Sequence, residues 1–214
     1  MFSIKNVNKF FNVILENNDY SDDKWKDVIL DAYLILPNDL RIQRHNWFKN
    51  SNYILKKQMS EYHLPIRKQL KKILLNMYFF IQYISKEKNT LDYKTNVTIL
   101  LAKNKELYNL FKILLVAHER REEVNLFPNI KKIYPKFDIN KMNTQHDEIH
   151  KMFFDIEKTF FSIKESNLVK ENSKKLLNQL LKLNFIMNKH FCYEEIIITC
   201  YSLNNPSSYN WAKL

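Results

Sequence analysis

No glycine occurs anywhere in these 214 residues. Glycine is the residue that most readily supplies positive φ at tight turns and bulges, so a hairpin-rich β fold is disfavoured. The glycine-rich phosphate loop and the dinucleotide fingerprint are excluded outright, because both need glycines at fixed places. No hydrolytic nucleophile pattern takes their place. Long stretches with helical apolar spacing and only five prolines point to an all-α fold.

The length fits one domain with at most a small extension. The reading divides the chain into a helical N-terminal extension at 1–50, a bundle at 51–205 and a C-terminal tail at 206–214. Within the extension, Val7, Phe10, Phe11, Val13, Ile14 and Leu15 give one amphipathic helix. Ser21-Asp22-Asp23 caps a second, which Pro37 stops. Four helices then follow, over about Asn52–Ser85, Asp92–Phe127, from Asn143 or Thr144 onward, and Leu168–Leu203. Pro65 is expected as a kink or first-turn residue of the first. Ile149, Phe153, Ile156 and Phe160 form the apolar face of the third. Leu177, Leu180, Leu181, Phe185 and Ile186 point inward on the fourth.

The net charge of +11 is read as a solvated lysine-rich exterior. The lysine pairs at 56–57, 71–72, 131–132 and 174–175 are dispersed, and no nucleic-acid motif accompanies them. No apolar run approaches a membrane span, and the N-terminus has no signal-peptide pattern. The expectation is a cytoplasmic protein with neither nucleic-acid nor membrane partner. Cys192 and Cys200 lie about 12 Å apart along one helix, too far for a disulfide, and are expected as reduced buried thiols.

Five of the six histidines fall into a pattern. His118-x-x-x-Glu122, His146-x-x-x-His150 and His190-x-x-x-Glu194 are each spaced i, i+4, with a lone His63 upstream. That spacing puts two side chains about 40° apart on one helix face. Helix bundles build di-metal carboxylate sites from inward pairs of this kind. If the patterns share one level of an up-down-up-down four-helix bundle, turns fall midway between them, near residues 92, 134 and 170. All three points lie in polar or proline-bearing sequence. Using His45 instead of His63 would put a turn inside the apolar run 77–81, so His45 is set aside. Glu123 and Glu195 stand at i+5 and point about 140° from their histidines. Glu122 and Glu194 are therefore the expected carboxylates, although a local helix distortion would exchange Glu194 for Glu195. Five histidines and two glutamates are too many for one structural zinc and suit two irons with bridging carboxylates.

The stretches Tyr62-His63 with Arg67-Lys68-Gln69-Leu70, His118-Glu-Arg-Arg-Glu122-Glu123 running into Leu126-Phe127-Pro128, Gln145-His146-Asp147-Glu148, and His190-x-x-x-Glu194 resemble the hemerythrin-like (HHE cation-binding) family over about residues 55–203. Within it the chain is most similar to the RIC-type iron–sulfur cluster repair di-iron proteins. The resemblance implies a four-helix bundle around a non-haem di-iron centre. His63, His118, His146 and His190 would bind iron, and Glu122 and Glu194 would bridge. It implies iron donation or nitric oxide reduction under nitrosative or oxidative stress. Nitric oxide or oxygen would be the small ligand, and damaged iron–sulfur proteins the partners. The alternative is a hemerythrin-like carrier or sensor of oxygen or iron without turnover. Two departures stand out. The connection at 86–96 lacks the further histidine of the repair proteins, and His150 is expected to replace it. Residues 1–50 lack the Cys-Cys pair of the repair proteins' N-terminal module.

Overall fold

The computed structural model describes residues 54–86, 91–133, 135, 138–165 and 169–204. The two helices read from sequence in residues 1–50, and the tail at 206–214, lie outside the described residues. No strand occurs among those described. Four long helices carry the architecture: α1 (Ile54–Lys86), α2 (Leu91–Arg121), α4 (Asn140–Glu165) and α5 (Val169–Asn204). A turn of π-helix at Glu122–Leu126 and a short α3 (Phe127–Ile133) extend α2.

Cross-helix contacts fix the directions. Tyr83 stacks near Tyr93 at the α1–α2 connection, and Gln69 Nε2 donates to the Leu107 carbonyl further along. Later residues of α2 thus meet earlier residues of α1, so the two run antiparallel. The Gln179–Asp155 and His190–His146 contacts do the same for α5 against α4. Lys112–Glu157 and His150–Glu119 do so for α2 against α4. Arg67–Asn188 and His63–Glu194 join α1 to α5. The result is the expected up-down-up-down bundle, each helix packed against two neighbours.

The core follows the helical period. Leu70, Ile73, Leu74 and Met77 of α1 are fully buried, as are Phe111 and Leu115 of α2 and Ile149 and Ile156 of α4. On α5 the buried stripe is Leu176, Leu180, Leu183, Met187 and Phe191. Phe185, expected inward, is 49% exposed. It sits about 200° around the helix from both Leu183 and Met187, on the opposite face.

Other local expectations need adjustment. Asn143 and Thr144 do not cap α4. That helix starts at Asn140, whose amide donates to Asp138 Oδ1 (2.9 Å), and Asn143 N–H already donates to the Ile139 carbonyl. An acidic capping residue lay one turn upstream of the expected start. Pro65 neither begins nor breaks α1, which runs through it with its ring on the exposed side. Pro128 lies inside α3, so the helical stretch expected to end at Phe127 continues to Ile133, and the break then comes near residue 134, where the donor spacing put it.

Candidate metal centre

The cluster forms at one end of the bundle. His63 lies in the early part of α1, His118 at the end of α2, Glu122 at the start of the π turn that follows, His146 in the early part of α4, and His190 and Glu194 on the distal half of α5. Antiparallel packing brings these six donors together. They form two groups, His63/His118/Glu122/Glu194 and Glu122/His146/His190/Glu194, with one donor atom from each residue lying within 4.8 Å of the others.

The two glutamates belong to both groups, and each divides its oxygens between them. Glu122 Oε1 lies 2.8 Å from His118 Nε2, while its Oε2 lies 3.4 Å from His146 Nε2 and 3.9 Å from His190 Nε2. Glu194 Oε2 lies 3.2 Å from His63 Nε2 and 3.7 Å from His118 Nε2. Its Oε1 lies 3.2 Å from His190 Nε2. Each carboxylate thus faces both histidine groups with separate oxygens.

The far sides of two imidazoles are tied down. His146 Nδ1–H donates to Glu123 Oε1 (2.8 Å) and His190 Nδ1–H to Gln145 Oε1 (3.0 Å). Both partners are acceptors, so both Nδ1 atoms carry the hydrogen and both Nε2 lone pairs face inward. These two Nε2 atoms are 3.1 Å apart. At that distance a proton or a metal cation has to lie between the two nitrogens. All four oxygens of Glu122 and Glu194, and His118 Nε2, are buried without a hydrogen-bond partner. The donor set therefore fits metal, and ties at Nδ1 are the usual way a metal-binding imidazole is oriented.

Electrostatics describe the metal-free cluster. Burial pushes the His118 pKa down, but Glu122 and Glu194 outweigh it and raise it to about 10. His190 is likewise raised to about 10, burial being overcome by Glu194 and Glu122. Burial raises both carboxylates, and Glu194 raises Glu122 further, yet the adjoining imidazoles win and both end lowered. Protons on the imidazoles thus take the charge-balancing place that a metal would fill.

His150 is the expected donor that the structure leaves outside both groups. One further turn along α4 carries it beyond the cluster. Its side chain is 53% exposed, and Nε2 lies 2.6 Å from Glu119 Oε2. Glu123 is half-exposed and acts behind His146, while Glu122 faces the cluster, as the i+4 argument required. Glu194 takes the place expected of it, and the Glu195 side chain is outside the described ones.

Sequence reasoning missed Glu119 and the role of Gln145. Glu119 carries its own signal, an i, i+3 relation to Glu122. Gln145 precedes His146, but nothing in one sequence ties it to His190. The π turn was also not foreseen. Its Phe127 N–H donates to the Glu122 carbonyl five residues back. In a regular helix the Pro128 ring would clash with the carbonyl four residues earlier, and a widened turn relieves that conflict. Phe127 then lies against the His146 ring at 6.0 Å between centroids. Cys192 is buried, and the Cys200 side chain is outside the described ones. No described helix is long and apolar enough to cross a membrane.

The comparison with protein families matches the hemerythrin HHE cation binding domain to residues 59–199. No curated protein and no solved structure matches the chain. The matched span contains all six clustered donors and most of their helices, and the domain binds metal cations, so the chain belongs to the hemerythrin HHE cation-binding domain family.

Proposed function

We propose that this chain is a non-haem di-iron protein of the iron–sulfur cluster repair type, protecting or restoring iron–sulfur centres under nitric oxide or oxidative stress. One observation carries the dinuclear part: Glu122 and Glu194 each direct one oxygen to one histidine pair and the other oxygen toward the second pair. His63 and His118 would hold one iron and His146 and His190 the other, with both glutamates shared. Iron in such a site supplies open coordination positions and one-electron redox chemistry to a small diatomic ligand.

The chain's residues determine how firmly metal is held. Two imidazoles and two shared carboxylates give four protein donors on each side, fewer than an octahedral ion takes. Incomplete protein ligation favours ligand binding and metal release over permanent retention. That supports iron donation above a carrier role. Phe191 stacks on His63 at 3.9 Å, and Phe127 lies beside His146, so apolar rings border the imidazoles.

Metal analysis of anaerobically purified protein, with its visible spectrum, tests the centre. About two irons per chain are expected for such a bundle site. A single tight zinc would overturn the reading. Incubation with an iron–sulfur enzyme damaged by nitric oxide tests the role. Recovery of that enzyme, with loss of iron from this chain, is the expected result. Reversible oxygen binding without iron transfer would instead assign the carrier function.

A further inference from the structure

The clustered donors are deeply enclosed. The His63, His190 and Glu194 side chains are 0% exposed, Glu122 and His146 3%, and His118 13%. A hydrated cation has to exchange its water for protein donors before it arrives there. One pair of cation-binding side chains links solvent to this neighbourhood. His150 is more than half exposed, and its Nε2–H donates to Glu119 Oε2. Glu119 is itself buried, and its second oxygen, Oε1, is buried with no hydrogen-bond partner.

The position of the pair matters. Glu119 stands one turn before Glu122 on α2 and about 60° around the helix. Burial raises the Glu119 pKa, and the His150 hydrogen bond with the charges of His146 and His190 only partly offsets it. His150 stands one turn after His146 on α4. A carboxylate oxygen left bare in the interior is costly unless a cation or donor meets it. His150 satisfies only one of the two. An imidazole nitrogen and a carboxylate oxygen are also the donor types of the buried centre, suited to ferrous iron and its divalent neighbours.

We propose that Glu119 and His150 form an outer, transient divalent-cation site through which metal reaches and leaves the buried centre. A cation arriving at this pair displaces the proton shared between Nε2 and Oε2, which passes to water. With only two protein donors the ion is held weakly, as a transit site requires. Of the inner donors, Glu122 stands at i+3 from Glu119 and His146 at i−4 from His150, each one helical turn away. This inference rests on the proposed di-metal centre.

A residue on the path changes loading and release by the same factor and leaves the equilibrium untouched. A residue of the inner site changes the equilibrium. Metal-free protein is mixed anaerobically with ferrous iron, and loading is followed by absorbance. Release is followed with a ferrous chelator. Glu119→Gln, nearly isosteric, and His150→Ala, at an exposed position, are compared with Glu148→Gln, which removes one exposed negative charge on α4. Loss of a charge-assisted contact should slow loading and release by about tenfold or more in the first two variants. Iron stoichiometry and affinity should stay unchanged, and Glu148→Gln should behave as wild type. Unchanged rates would overturn the proposal. So would equal slowing by Glu148→Gln, or a loss of stoichiometry in Glu119→Gln, which would make Glu119 an inner ligand. Failure of wild-type protein to take up iron would instead remove the di-iron reading and this proposal with it.

Discussion

Single side chains decide which imidazole nitrogen faces the centre. Gln145 accepts from His190 Nδ1, and Glu123 from His146 Nδ1. Gln145→Ala should therefore weaken metal binding by about 10–100-fold, measured by chelator competition, without removing a donor. Glu122→Ala or Glu194→Ala should do more, because each touches both groups, and metal content should fall for both positions together. The same residues set the pH response of the metal-free protein. His118 and His190 have folded pKa values raised to about 10, from 6.5. Their stabilisation is full below 6.5 and is lost as pH rises toward 10. Glu122 and Glu194 are lowered from 4.5, so theirs is present above 4.5 and lost as pH falls further. Metal-free protein should melt highest between these values and progressively lower from pH 7 to pH 9, as calorimetry would record. Metal-loaded protein should not share that alkaline decline, since the imidazoles then carry no exchangeable Nε2 proton. Several of these residues were legible without coordinates. The i, i+4 rule selected Glu122 and Glu194, because helix geometry is local. The opposite fate of His150 was not, because exposure depends on where α2 ends relative to α4.

At the scale of elements, face matters more than residue type. Phe153 and Phe154 are neighbours on α4, the first 3% exposed and the second 68%. Phe153→Ala should destabilise by about 3–5 kcal/mol through lost burial and a cavity. Phe154→Ala should stay within about 0.5 kcal/mol of wild type, as surface changes usually do. Equal effects in denaturant titrations would mean the α4 face is misassigned. The period also explains what sequence could and could not give. Ile149, Phe153, Ile156 and Phe160 were identified as one stripe, and all are buried. Phe185 was misplaced because α5 is apolar on more than one side, so hydrophobicity alone did not fix its orientation. The helix breaks were placed near residues 92 and 170 by combining donor spacing with polar sequence, and they fall a few residues earlier, between Lys86 and Leu91 and between Glu165 and Val169. The π turn escaped because it answers a steric conflict at Pro128 that no apolar pattern reports.

The whole molecule joins a cation site to a fold that closes around it. Anything that binds the folded chain and not the unfolded one raises stability by mass action, about 4 kcal/mol when free metal exceeds the dissociation constant a thousandfold. Iron loading should therefore raise the melting temperature, and a chelator should return it to the metal-free value. A melting temperature indifferent to iron would show that the metal binds elsewhere. The topology was readable because four spaced patterns had to meet at one level, which few arrangements of helices allow. The donors come from all four long helices, yet only at one end of the bundle. Toward the other end, the described core includes Ile84, Phe160, Ile163 and Leu176. Ions bound in the two groups would tie residues 63, 118, 146 and 190 through the shared Glu122 and Glu194, and such ties restrict long loops. Without them, opening becomes lopsided. Backbone amides around His118 and His190 should exchange with deuterium faster on metal removal, while those around Ile84 and Leu176 keep their protection.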